Sequence, residues 1–374
     1  MPRVLGIVLG TALLAFTWVS VVFALVVPRT RLGPNRLAII VNRTVRLVFI
    51  RASRLTESYE RKDAILAPLA PVAVLTQLVV WLFLIGAACV LMLVSYTDDL
   101  GTAAIQIGDA MFTLGQATVG HPTNDVITIL AAASGFIVIA LQIAYLPALY
   151  SAFNRRETLV TLLTSRAGEP AWGPEILIRH QLVGTIDALP DFYASWEQWA
   201  AEVSESHTTY PALLLFRSPD PWASWVIAQL SVLDAAAMQL ALCPSTTPSQ
   251  ARLCLRMGYT SLRRIADSLG WKYDNDPMPD APIQLTYEEF ASAVQLLVDT
   301  GFPIERDAES AWPHFHGWRV NYEDLVYRWA DRVVAPPAPW SGIRTDLREQ
   351  SVAPNRPAHR APPKGPAGYQ RPEF

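Results

Sequence analysis

Apolar residues are concentrated in three long runs within the first 150 positions, after which the pattern changes to the three-to-four spacing of amphipathic helices. The first run, Val4 to Val27, has 24 consecutive residues without a formal charge. A helix of that length exceeds the roughly 30 Å hydrocarbon core of a bilayer. The run is too long, and preceded by too little basic sequence (Arg3 alone), to read as a cleaved signal peptide. The second run, Ala64 to Thr97, enters through Pro68 and Pro71, where a helix start tolerates proline, and the third covers Val126 to Tyr150. Each run predicts a transmembrane helix. Beyond Ser151 the spacing predicts helices at 156–166, 189–206, 222–242, 249–269, 286–299 and 322–334, with Ser249 and a Thr286-x-x-Glu289 capping box as starts. No alternating strand pattern interrupts them. The stretch Trp222 to Leu242 is apolar enough to suggest a fourth span, but Asp234 would then sit near mid-bilayer at about 2.5–3.5 kcal/mol, with Gln229 and Gln239 adding to the cost. It is read instead as the buried central helix of a soluble domain.

The expected fold is therefore an all-α membrane protein: three transmembrane helices with a re-entrant helix and loop, followed by an all-α cytoplasmic domain. The expected divisions are an N-terminal span at 1–27, a basic interfacial segment at 28–63, a span–loop–span unit at 64–150, a helical domain at 151–335 and a disordered tail at 336–374. The tail has nine prolines, five arginines and few large apolar residues, so it lacks the material for a core.

Charge orients the spans. Nine basic residues lie between Arg29 and Lys62, whereas 97–125 contains no Lys or Arg. The basic loop is expected on the cytoplasmic side, which puts the N-terminus outside and the helical domain inside, as a multi-pass protein of the cell membrane. Arg36, Arg43, Arg46, Arg51 and Arg54 lack the repeated three-residue spacing of a voltage sensor. They read better as a cationic helix on the inner headgroups, with Ile39, Ile40, Leu47 and Phe49 toward the acyl chains.

A net charge of −3 gives no reason to expect nucleic acid as a partner, and three cysteines without C-x-x-C spacing support neither a disulfide framework nor a zinc site. Phosphate-binding and nucleophile-elbow motifs are absent from the sequence, so neither an enzyme nor a cofactor is expected. His314 and His316, among Pro313, Phe315 and Trp318, read as a turn packed on aromatics rather than as metal ligands.

The connection between the second and third spans, 98–125, is no ordinary polar hairpin. Ala103 to Phe112 is a short apolar stretch, and a segment rich in glycine and threonine follows it. Ten helical residues cannot cross a bilayer, but they can enter and return as non-helical backbone where protein or water solvates the peptide groups. In this order of span, short helix, loop and span, residues 64–155 resemble the pore domain of the potassium-channel superfamily, whose filter strand reads TVGYG. Two registers fit. In one, Thr113, Leu114, Gly115, Gln116 and Ala117 occupy the filter positions and Pro122 falls near the proline that commonly follows. In the other, Thr118, Val119 and Gly120 match the first three letters, followed by His121 and Pro122. The first is favoured because eight residues remain for the return to the surface, against three, and because proline forbids the positive φ available to glycine.

Both registers depart from the family: Gln116 and Ala117, or His121 and Pro122, stand where it has an aromatic residue and a glycine. The resemblance implies a cation pathway, with potassium one candidate ion and its selectivity in doubt. It implies four copies around a common axis in the bilayer. Asp109 and Asp125 would form rings of negative charge, and Gly135, within Ala131–Gly135, is a candidate hinge that close helix packing would also explain. The competing function is a non-conducting, membrane-anchored helical scaffold that binds a partner.

Overall fold

The computed structural model describes residues 3–27, 36–97, 99–112 and 122–342, and every regular element among them is helical. The first half contains α1 (Arg3–Leu25), α2 (Arg36–Ser53), α3 (Tyr59–Leu66), α4 (Leu69–Thr97), α5 (Leu100–Met111) and α6 (Pro122–Ala167). The second half contains α7 (Gly173–Leu182), α8 (Leu189–Thr209), α9 (Trp225–Leu242), α10 (Ser249–Ser268), α11 (Tyr287–Asp299), α12 (Ala308–Arg319) and α13 (Glu323–Val333). Four helices are long and apolar enough to cross a membrane: α1, α4, α6 and α9.

The first three of these lie side by side. Helices α1 and α4 run antiparallel, because Gly6 meets Leu91 and Ser95 whereas Ser20, fourteen residues on, accepts a 3.1 Å hydrogen bond from the Trp81 indole. A Cβ at Gly10 would lie 2.6 Å from the Ala88 carbonyl oxygen, so the Gly6-x-x-x-Gly10 face lets two backbones approach as no larger residue would. Trp18 donates to Ser134 of α6 at 3.2 Å and ties the third helix to the first. Val79, Phe83 and Phe136 point away from this bundle, at 63%, 72% and 65% exposure. Large apolar side chains at that exposure suit an acyl environment.

Helix α9 has the opposite setting. Every residue of it except Leu240 is buried, enclosed by α7, α8, α10, α12 and α13. Gly258 of α10 lies against Leu233, and Gly173 sits where a Cβ would be 2.8 Å from the Ser231 carbonyl oxygen. Most polar atoms of α9 are paired inside the domain, Gln229 Oε1 and the Trp225 indole N–H lacking a partner among the described residues. Gln229 donates to the Gly258 carbonyl and Ser261, Gln239 accepts from Tyr193, and Asp234 binds Arg319 at 2.6 Å and Tyr322 at 2.8 Å. Arg319 is fully buried and also reaches Glu323, Tyr327 and the Trp340 carbonyl.

The structure departs from the sequence reading in three places. Helix α6 passes position 150 without a break and absorbs the helix expected at 156–166, and Pro147 is accommodated within it. The His314/His316 stretch is the interior of α12 rather than a turn: Asp307 caps it by accepting from Ser310 N, and the fixed φ of Pro313 is helical. The first residues of the expected tail are packed, with Pro336, Pro337, Ala338 and Trp340 buried because Trp340 fills a slot beside Trp172 and Phe315. The remainder, 343–374, lies outside the described residues.

Candidate functional site

Helix α5 begins at Asp99, whose carboxylate accepts from Thr102 N at 2.6 Å in an N-cap that fixes where the chain turns after α4. Its residues Ala103, Ile107 and Met111 recur every fourth position and are buried against α4 and α6. Gln106 donates to Thr128 of α6 at 3.3 Å. At the far end of α5, a Cβ at Gly135 would lie 2.9 Å from the Met111 carbonyl oxygen, and one at Gly86 would lie 3.3 Å from its sulfur. Gly86 lies eleven residues before Thr97 and Gly135 thirteen residues after Pro122, so the tip of α5 sits about 16–20 Å along both long helices. Glycine at 135 is thus explained by the close approach of α5, and α6 continues through it as helix.

Of the acidic candidates, Asp109 is half-buried on α5 and its carboxylate has no hydrogen bond or ion pair among the described residues. Asp125 lies in the first turn of α6, half-buried, where a carboxylate suits the helix dipole. Both filter registers, Thr113–Ala117 and Thr118–His121, lie outside the described residues.

No protein-family model, curated protein or solved structure matches this chain. The site is therefore argued from its own geometry.

Two polar side chains in the apolar bundle escaped the sequence reading. Gln77 of α4 is buried with both amide atoms unpartnered, and Gln142 of α6 is buried with its Nε2 unpartnered. Each lies twenty residues from the α5 end of its helix, so the two share a level. Their signal was legible as an amide inside an uncharged run.

The link from this region to the helical domain is Arg156. It is fully buried on the continuation of α6 and donates to the Leu213 and Phe216 carbonyls at 3.0 and 2.9 Å. It also meets Glu157 at 2.6 Å and His207 Nε2 at 3.1 Å, and its own carbonyl accepts from Trp199. Burial first, then the adjacent Arg156 charge, holds His207 well below its ordinary pKa, so it is neutral in the folded protein at physiological pH. These bonds tie the continuation of α6 to α8 and to the 211–216 stretch of the helical domain. Among the described residues no cluster of three or more His, Cys, Asp or Glu could hold a metal ion.

Proposed function

We propose that the chain is a pore-loop membrane protein, similar to a small potassium-channel pore, that passes a monovalent cation when four copies surround an axis. The observation that carries this reading is the seating of Met111 against both Gly86 and Gly135. A helix that starts beside the end of α4 and stops about 16–20 Å down both neighbours has reached the middle of a bilayer about 30 Å thick. The chain then has nine residues, 113–121, in which to regain the start of α6 at the end it came from. Nine residues extend to about 30 Å at most, enough for that return and too little for a further helix across the membrane.

Charge favours a cation. The C-terminal end of α5 carries the partial negative charge of its dipole into the bundle, and the connection holds acidic residues without a single Lys or Arg. In this reading the backbone carbonyls of Thr113 to Ala117 replace the ion's water, and Asp109 and Asp125 raise its local concentration. Ile105 and Phe112, at 68% and 56% exposure, supply an apolar face on α5 that a neighbouring copy would cover. The Arg156 lock carries displacements of the helical domain into α6.

The departure from the usual filter letters at Gln116 and Ala117 supports the second reading, a non-conducting anchored scaffold. Purified protein in potassium-loaded vesicles separates the two. Flux of potassium or sodium with a tetrameric mass in detergent supports the pore. Absence of flux in every cation gradient, with a monomeric mass, supports the scaffold.

A further inference from the structure

Where α2, the start of α4 and the end of α13 converge, they leave a small solvent-open cleft. Arg46, Arg217 and Arg332 line it, and no carboxylate is among its lining residues. Arg217 is already neutralised: it pairs with Asp63 beside the cleft and donates to Tyr59 and to the Val333 and Val334 carbonyls. Among the described residues Arg46 makes one bond, to the Arg332 carbonyl at 2.8 Å. The Arg332 guanidinium has no acceptor among the described residues. After burial, the neighbouring Arg332 charge lowers the Arg46 pKa, and Arg43 does the same to Arg332, as expected of like charges gathered without a counterion.

Ser218, Ser224 and Trp225 also line the cleft. The 18-residue α9 begins at Trp225 with Ser224 as its N-cap, so the positive end of its dipole lies at the cleft. Guanidinium groups and a helix N-terminus both donate, and a tetrahedral oxyanion is a ligand that can accept from them together.

We propose that this cleft binds a phosphate-bearing anion, its source the headgroup of an acidic phospholipid. The source follows from position. Ile50 and Leu69, the latter the first residue of an apolar spanning-length helix, line the cleft, and Ile39, Ile40 and Val48 of α2 are 62%, 60% and 59% exposed beside it. Such side chains would lie among acyl chains while the arginines stand at headgroup level. The inference does not depend on conduction.

Full-length protein in uncharged detergent micelles, titrated with phosphatidylglycerol or with glycerol phosphate and followed by native mass spectrometry, tests it. One saturable phosphatidylglycerol site is expected. Arg332→Gln, which removes no bond seen among the described residues, weakens it about tenfold, the worth of one charge-assisted hydrogen bond. Arg51→Gln, on α2 with Arg46 but outside the cleft, leaves it unchanged. Saturation by glycerol phosphate with equal affinity keeps the phosphate site but overturns its assignment to lipid. Binding of neither ligand, or an equal loss in Arg51→Gln, overturns the site and leaves only a diffuse basic surface.

Discussion

Helices α4 and α9 are both long enough and apolar enough to cross a membrane, yet their surroundings could hardly differ more. Helix α4 exposes Leu75, Val79 and Phe83. Helix α9 exposes almost nothing, and its Asp234 and Gln239 bond to residues from other helices of the domain. Apolarity tells only that a helix avoids water. The exposure of its large side chains tells whether the rest of the chain is what keeps the water away.

The comparison breaks most readily at Asp234. Asp234→Ala strands the fully buried Arg319 without its closest carboxylate and is expected to destabilise the helical domain by about 3–5 kcal/mol in denaturant titrations of the full-length protein. A loss below about 1 kcal/mol would mean that α9 is not enclosed as described. Next in size is Gly135→Val. The added carbons meet the Met111 backbone, and overpacking of this kind costs about 1–3 kcal/mol, read as a lowered melting midpoint in detergent. Ile129→Ala, on the exposed side of the same helix, should change the midpoint by no more than about 0.5 kcal/mol, and equal effects of the two would remove α5 from its place beside α6.

His207 gives the helical domain a pH dependence. Its folded pKa lies below the ordinary value near 6.5, so between the two only the unfolded chain binds the proton. The resulting stability is complete above about pH 6.5 and is lost as pH falls, by up to about 1.4 kcal/mol per pH unit. Because Asp234, raised to about 6 by burial, contributes with the opposite sign over this range, the test is the difference: from pH 7.5 to 5.5 the native melting midpoint should decline relative to that of His207→Gln. An unchanged slope in the variant would assign the effect to other groups. The smallest effect belongs to Gln77→Leu, expected to be neutral or stabilising by about 1 kcal/mol because it removes an unpartnered buried amide. A clear loss in the same detergent melts would show that the amide has a partner in the assembled protein.

Much of the fold was legible from pattern. The apolar runs became α1, α4 and the first part of α6, Thr286 and Glu289 form the capping box, and Trp222–Leu242 closed inside the helical domain. The rest depended on partners distant in sequence. Trp340 is buried beside Trp172 and Phe315 while Arg319 and Tyr327 bond its carbonyl, and no local pattern marks those pairings within a proline-rich stretch. Helix α12 was not among the expected helices, because the His314/His316 stretch read as a turn and the Asp307 cap before it went unread. The close approach at Gly6 and Gly10 was legible as a small-residue repeat and went unread. Of the candidate site, Asp109 and Gly135 fall on the expected helices, Asp125 lies in the first turn of α6 rather than in the connection before it, and the filter registers fall outside the described residues.

The account turns on α5 entering and leaving by one face. Single cysteines at Thr102, Phe112 and Asn124, in a protein whose three buried native cysteines are replaced, can be probed with a membrane-impermeant thiol reagent added to either side of sealed vesicles. The account predicts that Thr102 and Asn124 label from the same side and that Phe112 labels from neither face at a comparable rate. Labelling of Thr102 and Asn124 from opposite sides, or rapid labelling of Phe112, would contradict it.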